Sequence, residues 1–104
     1  MRTLRFVVDK QLLQKDPACD FSNIVPGTSG YLSAKFTFSE EWLGCAKVAV
    51  FRYNGEDHAV KLEDDACEIP PEALAGSKFK VSVKGARPGG YCITSTFTTV
   101  RQEG

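Results

Sequence analysis

Apolar and polar residues alternate with a period of two along most of the chain, the pattern of half-buried strands. Leu4, Phe6 and Val8 alternate with Thr3, Arg5 and Val7. Leu32, Ala34, Phe36 and Phe38 alternate with Tyr31, Ser33, Lys35, Thr37 and Ser39, so one face of that strand is core and the other wet or partner-facing. Ala46–Tyr53 is apolar on both faces, which suits a central strand. Asn54-Gly55 supplies the positive φ pair of a type I′ hairpin, with Glu56–Glu63 as the return strand. Cys67-Glu68-Ile69 is a short strand cut by Pro70-Pro71. Phe79, Val81 and Val83 alternate with Lys78, Lys80, Ser82 and Lys84; Gly85–Gly90 reads as a hairpin loop. Tyr91, Ile93, Phe97 and Val100 line a threonine-rich last strand.

Between these strands, Asp16–Gly30 reads as loop with a brief pairing at Ile24-Val25, and Gln11–Lys15 as a short strand or extended arm. Ser39-Glu40-Glu41-Trp42 has the form of a capped turn, and Pro71–Ala75 that of a second, with proline at its start and Gly76 after its end. The pattern predicts an all-β fold: one antiparallel, immunoglobulin-like β-sandwich over residues 1–104, with about seven or eight strands and one or two single-turn helices. Its core is expected to hold Phe6, Leu32, Phe36, Phe38, Trp42, Val48, Val50, Phe51, Leu62, Ile69, Leu74, Phe79, Val81, Val83, Ile93 and Phe97.

Composition removes several function classes. Lys and Arg total 13 and Asp and Glu total 13, so there is no basic surplus of the kind phosphate neutralisation requires, and no nucleic-acid partner is expected. No apolar run approaches the roughly 20 residues of a membrane span. The N-terminal apolar stretch is short and broken by Arg5, unlike a secretory signal. The four cysteines (Cys19, Cys45, Cys67 and Cys92) lack knuckle spacing; they favour reduced thiols over one disulfide, and a metal site least. His58, the single histidine, lies in a solvated Glu56-Asp57-His58 run, and no nucleophile elbow or phosphate loop occurs. No catalytic group and no cofactor are expected.

Charge placement carries more. Glu56, Asp57, Glu63, Asp64, Asp65, Glu68 and Glu72 crowd one stretch against Lys61, whereas Lys78, Lys80, Lys84 and Arg87 follow without an acid. Solvated loops explain this most simply; the functional alternative is an acidic edge on one copy meeting a basic strand on the next. Leu12 and Leu13, in the arm, are candidates to lie across a neighbour's sheet edge.

The run Tyr31–Gly44 with its Phe36-Thr37-Phe38-Ser39-Glu40-Glu41-Trp42 centre, followed by Lys47–Phe51, resembles an immunoglobulin-like module of structural proteins from tailed phages and prophages of Firmicutes-type bacteria. Ile69-Pro70, Glu72-Ala73-Leu74, Val81–Gly85 and Ile93–Thr96 follow in the same order as in that family, so the resemblance covers Leu4 to Val100. It implies a non-enzymatic structural or docking module of a fibre, baseplate or head fibre, made in the bacterial cytoplasm and located in the virion. Its implied partners are other phage structural proteins and further copies of itself, a trimer by analogy with fibres. Relatives continue where this chain reaches Arg101–Gly104, which implies either a complete small protein or an N-terminal module. The alternative is a carbohydrate- or cell-surface-binding module, with a host surface glycan stacked on Trp42, Tyr31, Tyr53 or Tyr91. A small enzyme or inhibitor using one cysteine is the remaining class.

Overall fold

The computed structural model describes residues 1–102, and in it nine strands follow in chain order: β1 (Arg2–Asp9), β2 (Leu12–Lys15), β3 (Leu32–Phe38), β4 (Ala46–Tyr53), β5 (Glu56–Lys61), β6 (Ala66–Glu68), β7 (Lys78–Arg87), β8 (Tyr91–Thr94) and β9 (Thr98–Arg101). Glu103 and Gly104, the end of the expected single domain, lie outside the described residues. Single 3-10 turns at Glu40–Trp42 and Pro71–Leu74 stand where the sequence predicts one-turn helices. The first sheet has the order β2-β1-β3-β6; the second has β5-β4-β7-β8, with β9 also on β7.

The all-β sandwich is therefore present, with one pairing of unexpected direction. β1 and β3 run parallel over seven pairs, from Arg2↔Leu32 to Val8↔Phe38, while every other ladder is antiparallel. A parallel return needs a crossover, and the long segment after β2 supplies it. The Arg2 guanidinium pins this segment by donating to the carbonyls of Asp20 (2.9 Å), Ser22 (2.6 Å) and Asn23 (3.2 Å). Ile24 is a core residue within it and forms no strand, and Phe21 packs edge-on against Phe6 at 5.4 Å.

Leu4, Phe6, Val8, Ala34 and Phe36 from the first sheet and Ala49, Phe51, Phe79, Val81 and Val83 from the second form one buried cluster. Trp42 closes one end, fully buried, with its ring 5.1 Å from Phe38 and its indole N–H donating to Lys10 O at 2.7 Å. The Trp42 ring lies so close to Gly85 that a Cβ there would sit 2.9 Å from it. Gly85 thus belongs inside β7, which runs on to Arg87, and the expected Gly85–Gly90 loop contracts to Pro88–Gly90.

Four expectations about packing need correction. Leu13 is not partner-facing: it pairs with Val8, shares its inward face and is 2% exposed. Phe38, Val48 and Ile93 are half-buried rather than core. Val50 is buried, but it stands opposite Ser82 on the outer side of the second sheet and does not join the core cluster. Phe97 is exposed, for a reason that lies in the sheet register. Lys84 pairs with Thr94 and Val81 with Thr98, so the β8–β9 side has one more residue than β7 between these pairs. The surplus is a β-bulge at Thr96-Phe97 opposite Ser82, and it reverses the alternation: Ile93 and Val100 face inward, and Phe97 faces out.

Candidate functional site

Alternation along β7 puts Lys78, Lys80, Ser82, Lys84 and Ala86 on the outer face of the second sheet. The register adds Ala46, Val48, Val50 and Arg52 from β4, Asp57, Ala59 and Lys61 from β5, and Cys92 and Thr94 from β8. This face unites three of the candidate residues, Lys78, Lys80 and Lys84, with three cations that were not among the candidates, Arg52, Lys61 and, from β9, Arg101. Its floor is apolar: Ala46, Val48, Ala86 and Cys92 border a shallow depression of about 290 Å³ beside Lys84.

The bulge shapes the middle of the face. Arg52 lies over the Phe97 ring, 4.3 Å from its centroid, and grips Asp57 with both forks, Nε to Oδ1 at 2.6 Å and Nη2 to Oδ2 at 3.0 Å. Arg52, held this way, is part of a fixed Phe97–Arg52–Asp57 stack. The stack was illegible in sequence because it joins residues 45 positions apart through a bulge. Its one local signal was the Arg52–Asp57 spacing across a two-residue hairpin.

The hydrogen bonds from Arg52, together with its charge, hold the Asp57 carboxyl below the usual aspartate range. A depressed carboxyl contributes stability above its ordinary pKa and loses that contribution as pH falls through the lowered value. An NMR titration of the Arg52→Ala variant is expected to return Asp57 to the ordinary aspartate range. An unchanged Asp57 midpoint would show that Arg52 is not its partner in solution.

The acidic candidates sit apart, in the turn between β5 and β6. Asp64 and Asp65 adopt left-handed backbone (φ 51° and 60°), and Glu63 pairs with Ala66 to close the turn. Asp65 is engaged within its own chain, by the Lys47 ammonium at 2.8 Å, and the Asp64 carbonyl accepts from the Lys35 ammonium. Asp64 and Asp65 share a cleft with Lys61 and Lys47, whereas no described contact joins this turn to Lys78 or Lys80. Leu12, 49% exposed, faces outward on the first sheet, away from both groups.

The aromatic candidates do not converge. Trp42 is fully buried, so it has no face to offer a sugar. Tyr31 is exposed beside the start of β3, while Tyr91 is half-buried under the Arg87 guanidinium (3.8 Å), its hydroxyl donating to Glu41 O at 2.8 Å. Tyr53 packs so close to Gly76 that a Cβ there would overlap its ring. All four cysteines are unpaired; Cys67 points inward opposite Ala34, and burial pushes its thiol up to about 12, the opposite of an activated nucleophile. Among the described residues no three of His, Cys, Asp and Glu group as metal ligands, and no helix is long and apolar enough to cross a membrane.

No family model, curated protein or solved structure matches this chain.

Proposed function

We propose that this chain is a docking module of a phage or prophage particle and engages a partner structural protein through the outer face of the second sheet. The observation that carries the reading is the make-up of that face. An apolar floor of Ala46, Val48, Ala86 and Cys92 is bordered by Lys84, Lys61 stands beside Val48 in the register, Lys80 lies further along β7 on the same face, and the single acid among the paired outer positions, Asp57, shares its charge with Arg52. A complementary partner presents small apolar side chains inside an acidic rim. Such charge complementarity sets orientation and association rate more than affinity. The apolar floor fits a protein surface better than a row of phosphates, and the balanced net charge of the chain agrees with that. The resemblance of the Tyr31–Phe51 run supplies the setting in a particle; the face supplies the means of attachment.

The test is incorporation. Particles from the encoding host, purified and analysed by mass spectrometry, are expected to contain the chain in fixed stoichiometry. The double variant Lys80→Glu/Lys84→Glu, folded as judged by its melting curve, is expected to be lost from them. A chain absent from particles, or a double variant incorporated as well as the parent, would overturn the reading.

A further inference from the structure

β5 is an open sheet edge whose hydrogen-bonding phase is fixed by its own hairpin. The turn residues Asn54 and Gly55 have φ of 54° and 79°, and this two-residue turn makes Tyr53 and Glu56 a hydrogen-bonded pair. Counting by twos gives Phe51 with His58 and Ala49 with Val60, and the ladder continues in phase where Leu62 N–H donates to Lys47 O at 2.9 Å. The main-chain N–H and C=O of Asp57, Ala59 and Lys61 therefore point away from β4. Among the described residues no backbone hydrogen bond from another element meets them, and all three residues are exposed.

Free edges are commonly guarded by proline or charge. Here the charges have opposite signs at opposite ends, Asp57 before Ala59 and Lys61 after it. Such an edge repels a parallel copy and complements an antiparallel one. With Ala59 opposite the partner subunit's Ala59, Asp57 stands opposite the partner subunit's Lys61, and Lys61 opposite the partner subunit's Asp57. Residues that face each other in this register have their side chains on the same face of the sheet, as antiparallel pairing about a perpendicular twofold requires. They are also the residues whose backbone groups are free. Of the two neighbouring registers in the same phase, one sets Lys61 against the turn residue Gly55 and has no charge pair, and the other sets Asp57 against the partner subunit's Glu63, acid against acid. Asp57 remains available: a carboxylate has about four acceptor positions, and Arg52 occupies two.

We propose that two copies of this chain pair edge to edge along β5, about a twofold axis at Ala59, so that their second sheets join into one. This goes beyond the docking reading, since it uses the strand's edge and leaves the outer face open. A strand-to-strand contact of this size is weak, so sedimentation of the full chain from about 10 µM to about 1 mM is expected to show a monomer–dimer equilibrium with no larger species. Lys61→Asp and Asp57→Lys are each expected to weaken it roughly tenfold or more, and an equimolar mixture of the two variants to restore it, because only the mixed pair has opposite charges across the edge. Ala59→Pro removes an N–H that has no partner within the chain and is expected to abolish dimerisation without loss of folding. In an isotopically mixed sample, an intermolecular NOE between the Hα atoms of His58 and the partner subunit's Val60 reads the register. A strict monomer throughout the concentration range overturns the proposal. A dimer indifferent to both Lys61→Asp and Ala59→Pro also overturns it. Neither result bears on incorporation through Lys80 and Lys84, so the two readings fail separately.

Discussion

Replacing Trp42 by alanine is expected to lower the stability of the fold by about 3–5 kcal/mol, the cost of emptying a large aromatic site in a core that cannot collapse around it. The site is bounded on several sides. Phe38 lies 5.1 Å from the ring centroid, Gly85 is pressed against the ring's benzene edge, and the indole N–H is satisfied by Lys10 O at 2.7 Å. Lys10 itself adopts a left-handed backbone (φ 56°), and its N–H donates to Ser39 Oγ at 2.8 Å, so the ring also ties the β1–β2 turn to the turn that carries Trp42. For a domain this small the loss is a large share of the total, and the melting temperature is expected to fall by more than about 12 °C. Trp42→Phe, which retains most of the packing and gives up the hydrogen bond, is expected to cost about 1 kcal/mol. Near-identical melting of Trp42→Ala and the parent would mean that the ring does not close the core. The chain has a single tryptophan, so its emission reports directly on this site.

Phe36→Ala is expected to cost a similar 3–5 kcal/mol. Phe36 is 1% exposed and lies in a row of rings, 5.2 Å from Phe6 and 5.9 Å from Phe38, with the parallel β1–β3 register setting Phe6 directly opposite it. Thr37, the next residue, faces water on the other side of the same strand, and Thr37→Ala is expected to change stability by less than about 0.5 kcal/mol. The contrast between adjacent positions is the measurement. Equal effects in denaturant unfolding would show that the strand does not present alternate faces to core and solvent.

Strand identity was legible wherever alternation was long and local. β1, β3, β4 and β7 follow from their own residues, and Asn54-Gly55 fixed the β4–β5 hairpin. Direction and phase were not legible in the same way. Nothing in Leu4–Val8 or Leu32–Phe38 distinguishes parallel from antiparallel neighbours, because that choice is made by the crossover and by Arg2 holding it. A single bulge residue displaced Phe97 from core to surface, and alternation alone carries no trace of it. Leu13 was misread because a four-residue strand is too short to establish a period. The lysines of β7 were visible as a group, but the floor between them comes from β4 and β8, which meet it only through the register.

The bulge has a consequence for how far such domains can link. Thr96, turned out of the ladder, donates its N–H to Gln11 O at 2.8 Å, and its hydroxyl accepts from Leu13 N–H at 3.1 Å; the Gln11 amide donates in turn to Thr94 O at 3.0 Å. Along this side β2 and the Thr94–Thr96 stretch answer part of each other's edge groups. β5, on the opposite side, is the long open strand. A twofold contact through β5 uses that strand on both copies, so it closes at two bodies and does not grow through β5 into a filament.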